Sequence, residues 1–260
     1  MISVTQTDPK ETRPSPAEAV ARGLNDGKTH LLLAASGSVA TIKLPLIISA
    51  FSKYSNLSIR VILTKSAAEF LAGQSTEQPL LSSLSALPNV DSVHLDEDEW
   101  VQPWTRGADI LHISLRRWAH ILVIAPLSAN TLAKVANGMS DNLLTSVIRA
   151  WDPSGLIDGK KARILVAPAM NTAMWFHPIT ARHIRVLEEE WGVKPVNGKG
   201  TEGNEASTTG EGWFEVLHPV EKSLACGDVG SGAMVEWTNI VKVVEQRLGL
   251  SEQLSCQHGV

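Results

Sequence analysis

Cysteine is nearly missing from this chain: 260 residues carry two, Cys226 and Cys256. Two thiols this far apart exclude a disulfide framework. Neither stands in the paired spacing of a zinc site, so no metal is expected. An excess of one charge is missing too. Lys and Arg number 23 against 27 Asp and Glu, and a net charge of −4 gives no general attraction to nucleic acid or an anionic membrane. No apolar run reaches the ~20 residues of a membrane span. Residues 1–27 lack an apolar leader core; they are polar, contain Pro9, Pro14 and Pro16, and read as a disordered arm. A reducing, cytoplasmic setting is the expectation. What the chain does have is apolar mass: 43% of residues are hydrophobic and 19% charged, enough to bury a substantial core.

That apolar mass is laid out with a rhythm. Residues 29–35 form an apolar run ending in Ser36-Gly37-Ser38, and a helical pattern follows through Ile42, Leu46, Ile47, Ala50 and Phe51. A β-rich run over 57–63 leads to a second helical start at Ser66. Residues 121–125 (ILVIA) and 162–167 (ARILVA) read as strands buried on both faces. Residues 142–151 and 180–191 have helical spacing, 193–196 reads as a last short strand, and 239–248 as a closing helix stopped by Gly249. Alternating strands and helices predict an α/β fold: one doubly wound, Rossmann-like (flavodoxin-like) parallel sheet flanked by helices, over residues 28–249. Residues 198–219 read as a loop insertion, 225–234 as a Gly-rich loop and 250–260 as a polar tail.

Three strand ends carry small polar residues. Gly37, Ser38, Val39 and Ala40 follow the first strand, where free backbone N–H groups favour an anion and the Ser36 and Ser38 hydroxyls can add bonds. Thr64, Lys65, Ser66 and Ala67 follow the second. Ser128, Ala129, Asn130 and Thr131 follow the ILVIA run. Each turn alone is equally an ordinary helix cap. A parallel sheet would set all three along one edge, which favours a shared ligand. Neither G-x-G-x-x-G nor a P-loop is present, so a mononucleotide such as FMN fits better than NAD or ATP.

The chain resembles the homo-oligomeric flavin-containing cysteine decarboxylases, on the segments AASGSVA (34–40), LHISLRRWAHILVIAPLSANTLAK (111–134), DNLLTSVIRAWD (141–152), APAMNTAMW (167–175) and LACGDVGSGAM (224–234). The resemblance covers about residues 30–248. Within that family it points to the phosphopantothenoylcysteine decarboxylase and halotolerance-protein branch, because the ACGD loop and the LHI-x-LRRWA run are specific to it. It implies bound FMN and a homotrimer with active sites at subunit interfaces, or a heterotrimer with paralogues. FMN would touch the three turns above and Ala169. The catalytic residues would be His112, as base, and Cys226, as proton donor. Asn171 would hold the substrate carboxylate, in a pocket with Met174, Ala225 and Met234.

The chemistry suits these residue types. Losing CO2 leaves electrons on carbon that a flavin-generated C=S can accept, so the redox work falls to the cofactor and positioning to the protein. Imidazole titrates near neutrality and suits removal of a thiol proton. By composition His112 is one of eight histidines and could be structural; only its motif singles it out. Asn171 offers two amide N–H donors, or is simply a cap after Pro168. Cys226 lies among glycines rather than hydrophobes, which suits an acid in a closing loop or a plain flexible turn. One position departs from the pattern. Relatives carry Lys-Arg before Leu-Ala-Cys where this chain has Lys222-Ser223, which puts a phosphate contact in doubt. A rival reading is a regulatory subunit that inhibits a protein phosphatase. The short arm, the tail with Glu252 as its sole acid, and the joint presence of His112, Asn171 and Cys226 favour the enzyme.

Overall fold

The computed structural model describes residues 14–194, 211–223 and 229–251. Six strands, β1 (Thr29–Ala35), β2 (Leu57–Leu63), β3 (Val90–His94), β4 (Ile121–Leu127), β5 (Arg163–Pro168) and β6 (Phe214–Val216), pair in parallel in the order β3-β2-β1-β4-β5-β6. This is the doubly wound order, with its switch point between β1 and β4. β4 is apolar throughout, and β1 from Leu31 onward, because both faces are covered. Leu31, Leu33 and Ala35 enter one apolar cluster, while Leu32 and Ala34 enter the other. β4 repeats the split, with Ile121, Val123 and Ala125 on one side and Leu122 and Ile124 on the other. Each such Leu stabilises the fold by about 1.5–3 kcal/mol on burial, and truncating Leu33 to Ala would cost about 2–5 kcal/mol.

The helices are α1 (Pro16–Arg22), α2 (Leu44–Ala50), α3 (Lys65–Ala68), α4 (Leu81–Leu84), α5 (Leu111–Trp118), α6 (Ala129–Ala136), α7 (Leu143–Arg149), α8 (Thr172–Trp175), α9 (Pro178–Arg185) and α10 (Trp237–Leu248). Through their apolar stripes α2, α3, α4 and α10 cover one face of the sheet. α1, α5, α6, α7 and α9 cover the other. α10 ends at Gly249, whose φ of 59° is the left-handed cap expected there. An antiparallel hairpin of β7 (Val220–Ser223) and β8 (Val229–Ala233) leaves the sheet and folds back over the β5–α8 turn, where the Met170 N–H donates to the Gly232 carbonyl at 2.9 Å.

Two expectations are corrected. Part of the arm read as disordered is a helix. Ser15 and Glu18 form a reciprocal capping box, Pro16 occupies the first turn, and Ala17 and Val20 bury against α5. The prolines that suggested disorder therefore include a helix starter. The last parallel strand described is not in the segment expected, 193–196, of which 195 and 196 lie outside the described residues. Val193 only donates its N–H to Phe214, and the edge strand is Phe214–Val216, inside the segment read as a loop insertion. Phe214 is 2% exposed, and Trp191 stacks on Trp213 at 5.8 Å, so aromatic burial overrides the glycine-rich surroundings.

Candidate functional site

The C-terminal ends of β1, β2, β4 and β5 open into one cleft of about 760 Å3, a size within the ordinary range for small-molecule and cofactor sites. Its floor is the switch point. The Ser36 hydroxyl accepts the Ser128 N–H at 2.8 Å and donates to the Pro126 carbonyl at 3.1 Å, so it stitches β1 to β4. That hydroxyl is wholly buried and is not available to a ligand, contrary to the expectation for Ser36. Gly37 is needed for close approach: a Cβ there would lie 2.6 Å from the Ser66 Cβ. Ser38 opens a 3-10 turn over Val39–Lys43 and makes no side-chain cap, which leaves its hydroxyl free beside the cleft.

The other turns follow the same plan. Thr64 caps α3 and receives the Ala67 N–H at 3.3 Å, with Lys65 and Ser66 on the cleft wall. Ala67, expected beside the cofactor, is buried in the core and is not among the residues that line the cleft. Ser128 caps α6 through the Thr131 N–H, and Ser128, Ala129, Asn130 and Thr131 all face the cleft. Ala169 and Asn171 join from the end of β5, with Met174 from α8 and Met234 after β8.

Asn171 is the helix cap its sequence allowed. Its Oδ1 caps α8 by accepting the Met174 N–H at 2.8 Å. That bond fixes the amide orientation, so the Nδ2 group, with two N–H donors, is left for an anion in the cleft. The hairpin forms the facing wall. Gly232 has φ 117°, and a Cβ on it would lie 2.6 Å from the Met170 carbonyl oxygen. Ala225 and Cys226 lie outside the described residues, between β7 and β8.

His112 does not line this cleft. It sits in the first turn of α5, whose Leu111, Leu115 and Trp118 bury at helical spacing while the imidazole stays half-buried. Its Nδ1 is 2.9 Å from Oε1 of Glu99. Trp118 anchors the helix: it stacks on His30 at 4.3 Å and carries the Arg60 guanidinium 4.9 Å from its ring centre. Arg116 reaches the Ala150 carbonyl at 3.0 Å and Asp158 at 2.7 Å.

Several cleft residues are not among those the sequence singled out as site residues. Asp96 follows β3 and accepts the Leu143 N–H at 3.0 Å. Burial pushes its carboxyl up, the Leu143 and Lys65 N–H groups oppose this, and Glu97 and Asp141 add to it. A rule that ligands gather at parallel strand ends would have found Asp96, had the short, polar β3 been recognised. Lys134 and Asp141 pair at 2.6 Å on the rim, and that bond holds the Asp141 carboxyl below its usual range. Lys43, Phe70 and Trp237 complete the walls. Among the described residues no cluster of His, Cys, Asp or Glu could hold a metal ion.

Three comparisons bear on this geometry. The Phosphopantothenoylcysteine decarboxylase of Arabidopsis thaliana is 42% identical over 218 residues, covering 84% of this chain and 84% of that protein. A solved PPC decarboxylase, a cysteine-to-serine variant complexed with pantothenoylaminoethenethiol, matches with a TM-score of 0.66 and 40% identity over 86% of this chain and all of that one. The FMN binding protein AtHal3 matches with a TM-score of 0.61 and 40% identity, covering 84% of this chain and 96% of that one. The chain spans only about a third of the length of two yeast proteins it matches at 41–42% identity, covering 31% and 34% of them. The Flavoprotein family model matches residues 20–249, and with a doubly wound sheet, a cleft at its switch point and relatives of this identity, the chain belongs to the Flavoprotein family.

Proposed function

We propose that this chain is an FMN-dependent carboxy-lyase that decarboxylates 4′-phospho-N-pantothenoylcysteine to 4′-phosphopantetheine, a step of coenzyme A biosynthesis. The observation that carries the reading is the cleft itself: three strand-end turns and the Asn171 amide converge on one space, in a chain 40% identical to a decarboxylase solved with pantothenoylaminoethenethiol. The residues fit FMN. Ser38, Val39 and Ala40 offer a hydroxyl and the N–H groups of a helical start for its phosphate. Gly37 keeps the two neighbouring turns close, and the Lys65-Ser66 and Ser128–Thr131 turns with Ala169 flank the rest. Bound FMN would supply the redox chemistry: it would take two electrons from the cysteinyl thiol and its Cβ–H, so that the C=S accepts the electron pair of the breaking C–CO2 bond, and would give both electrons back to yield the saturated thiol.

The protein's part is binding and proton transfer. Asn171 Nδ2 holds the carboxylate with neutral donors, which position it without adding the ionic stabilisation that would be lost with CO2. Met174 and Met234 enclose the apolar part of the substrate. His112 takes the thiol proton, and Cys226 returns a proton to carbon. Because His112 does not line its own chain's cleft, the site is completed by a second copy in a homotrimer. Exposed apolar side chains support this: Trp100 and Trp104, 64% and 52% exposed, lie in the segment before His112, and Phe176, 68% exposed, lies just past Asn171. No helix among the described residues is long and apolar enough to cross a membrane, and the cytoplasm is the proposed location.

The test is direct. Purified protein should be yellow, sediment as a trimer and release CO2 from the phosphorylated conjugate. His112→Asn should abolish release. Cys226→Ser should release CO2 yet stall before product. A colourless monomer that binds no added FMN would end the proposal.

A further inference from the structure

The Glu99–His112 contact goes beyond the assignment of a base. Glu99 belongs to a 3-10 turn, Asp96–Trp100, pinned at its start by Asp96 to the Leu143 N–H and by Asp98 Oδ2 to the Leu95 N–H at 2.8 Å. The turn delivers the Glu99 side chain, 6% exposed, to His112 Nδ1 at 2.9 Å. Its other oxygen, Oε2, is buried with no hydrogen-bond partner among the described residues. A carboxylate kept only to staple a loop would be expected to satisfy both oxygens, since an unpaired buried acceptor costs about 1–3 kcal/mol. Among the described residues the imidazole is the carboxylate's one hydrogen-bond partner.

We infer that Glu99 is a positioning residue that fixes the tautomer of His112. The inference rests on His112 being the base. A carboxylate oxygen accepts, so Nδ1 carries the hydrogen and donates it to Glu99. The neutral ring then has its lone pair on Nε2, on the side away from Glu99. The thiol proton of the substrate passes to Nε2, and the positive charge formed on the ring faces the Glu99 carboxylate. When the proton leaves, the ring returns to the same tautomer. A carboxylate that orients a base in this way acts in the proton-transfer step and not in substrate binding.

The test compares His112→Asn, Glu99→Gln and Glu99→Ala in the FMN-loaded full-length protein, with 15N-histidine solid-state spectra and steady-state kinetics. His112→Asn identifies the His112 signal by subtraction and tests the underlying reading: undiminished turnover in it overturns the base assignment itself. The native spectrum should show the neutral ring protonated on Nδ1, and Glu99→Ala should redistribute that proton. Glu99→Gln, which keeps the shape, should lower kcat by about 10² with KM within about threefold and flavin content unchanged. If His112→Asn is inactive while Glu99→Gln keeps its kcat, or if the native ring is protonated on Nε2, the role of Glu99 is refuted and that of His112 stands.

Discussion

Replacing Gly37 by Ala tests whether the cleft depends on two turns touching. A Cβ on Gly37 meets the Ser66 Cβ at 2.6 Å and its Oγ at 3.5 Å. Carbon atoms pack best about 3.5–4.0 Å apart, so the turns after β1 and β2 must separate by about 1 Å. Neither turn moves freely. The Thr64 N–H is bonded to the Ala35 carbonyl at 3.2 Å, and Ser36 is tied to both Pro126 and Ser128. Overpacking of this kind costs about 1–3 kcal/mol. The strands beneath are buried apart from Thr29 and paired along their whole length, so the displacement falls on the turns. If it is taken from ligand binding, FMN affinity drops by about 5- to 150-fold. Quenching of flavin fluorescence on titration of apoprotein measures it, alongside thermal unfolding. Ser66→Gly removes the atom that the new methyl strikes, so Gly37→Ala combined with Ser66→Gly should bind FMN as Ser66→Gly alone does. Wild-type affinity in Gly37→Ala, or no recovery in the double variant, refutes the reasoning.

The remaining predictions concern the hairpin and two polar groups outside the cleft. Gly232→Ala places a side chain at φ 117° and 2.6 Å from the Met170 carbonyl, so it should lift β8 from α8 and raise the KM for substrate by about tenfold; an unchanged KM would contradict a wall built by that strand. Burial, and then the charge of Arg60, push the His94 imidazole down to about 4, below the ordinary 6.5. Its folded pKa is depressed, so its neutral form contributes stability that is full above pH 6.5 and lost as pH falls towards 4. Over that window the wild type should lose about 3 kcal/mol more than His94→Gln, measured by urea unfolding, and equal losses would refute this. Burial pushes the Asp152 carboxyl up, but the N–H groups of Asp158, Ile157 and Gly155 and the Ser154 hydroxyl outweigh it and hold it at about 2. Asp152→Ala should cost about 1–3 kcal/mol by calorimetry while FMN affinity stays unchanged, and a native melting temperature would count against it.

The central sheet was legible because β4 and most of β1 and β5 are apolar on both faces, a pattern that solvent-exposed segments cannot sustain, and β2 is apolar along Leu57, Ile59, Val61 and Leu63. β3 was not. Its residues, Val-Asp-Ser-Val-His, mix polar and apolar side chains because only one neighbour covers it, and its polar members pair across to β2, as Ser58 does with Asp91. β6 was hidden for a different reason: three residues are too few to show a period, and only the burial of Phe214 against two tryptophans identifies them. In the site, the strand-end turns could be read from their small polar residues. Asp96 could not, because it depends on β3. The Glu99 contact is also beyond pattern reading, since it joins a 3-10 turn to a helix start 13 residues later by a side chain whose burial no periodicity predicts.

Ser36 has a consequence for how the cleft meets a ligand. Its one hydrogen and an accepting lone pair are spent between two neighbouring strands, so the floor is set when the chain folds rather than when a guest arrives. Little ordering is left to be done there on binding, and association should proceed without rearrangement of that region. Variation in what the cleft accepts can then arise on the walls, at Val39, Met174 or the hairpin, while the stitch beneath them stays the same.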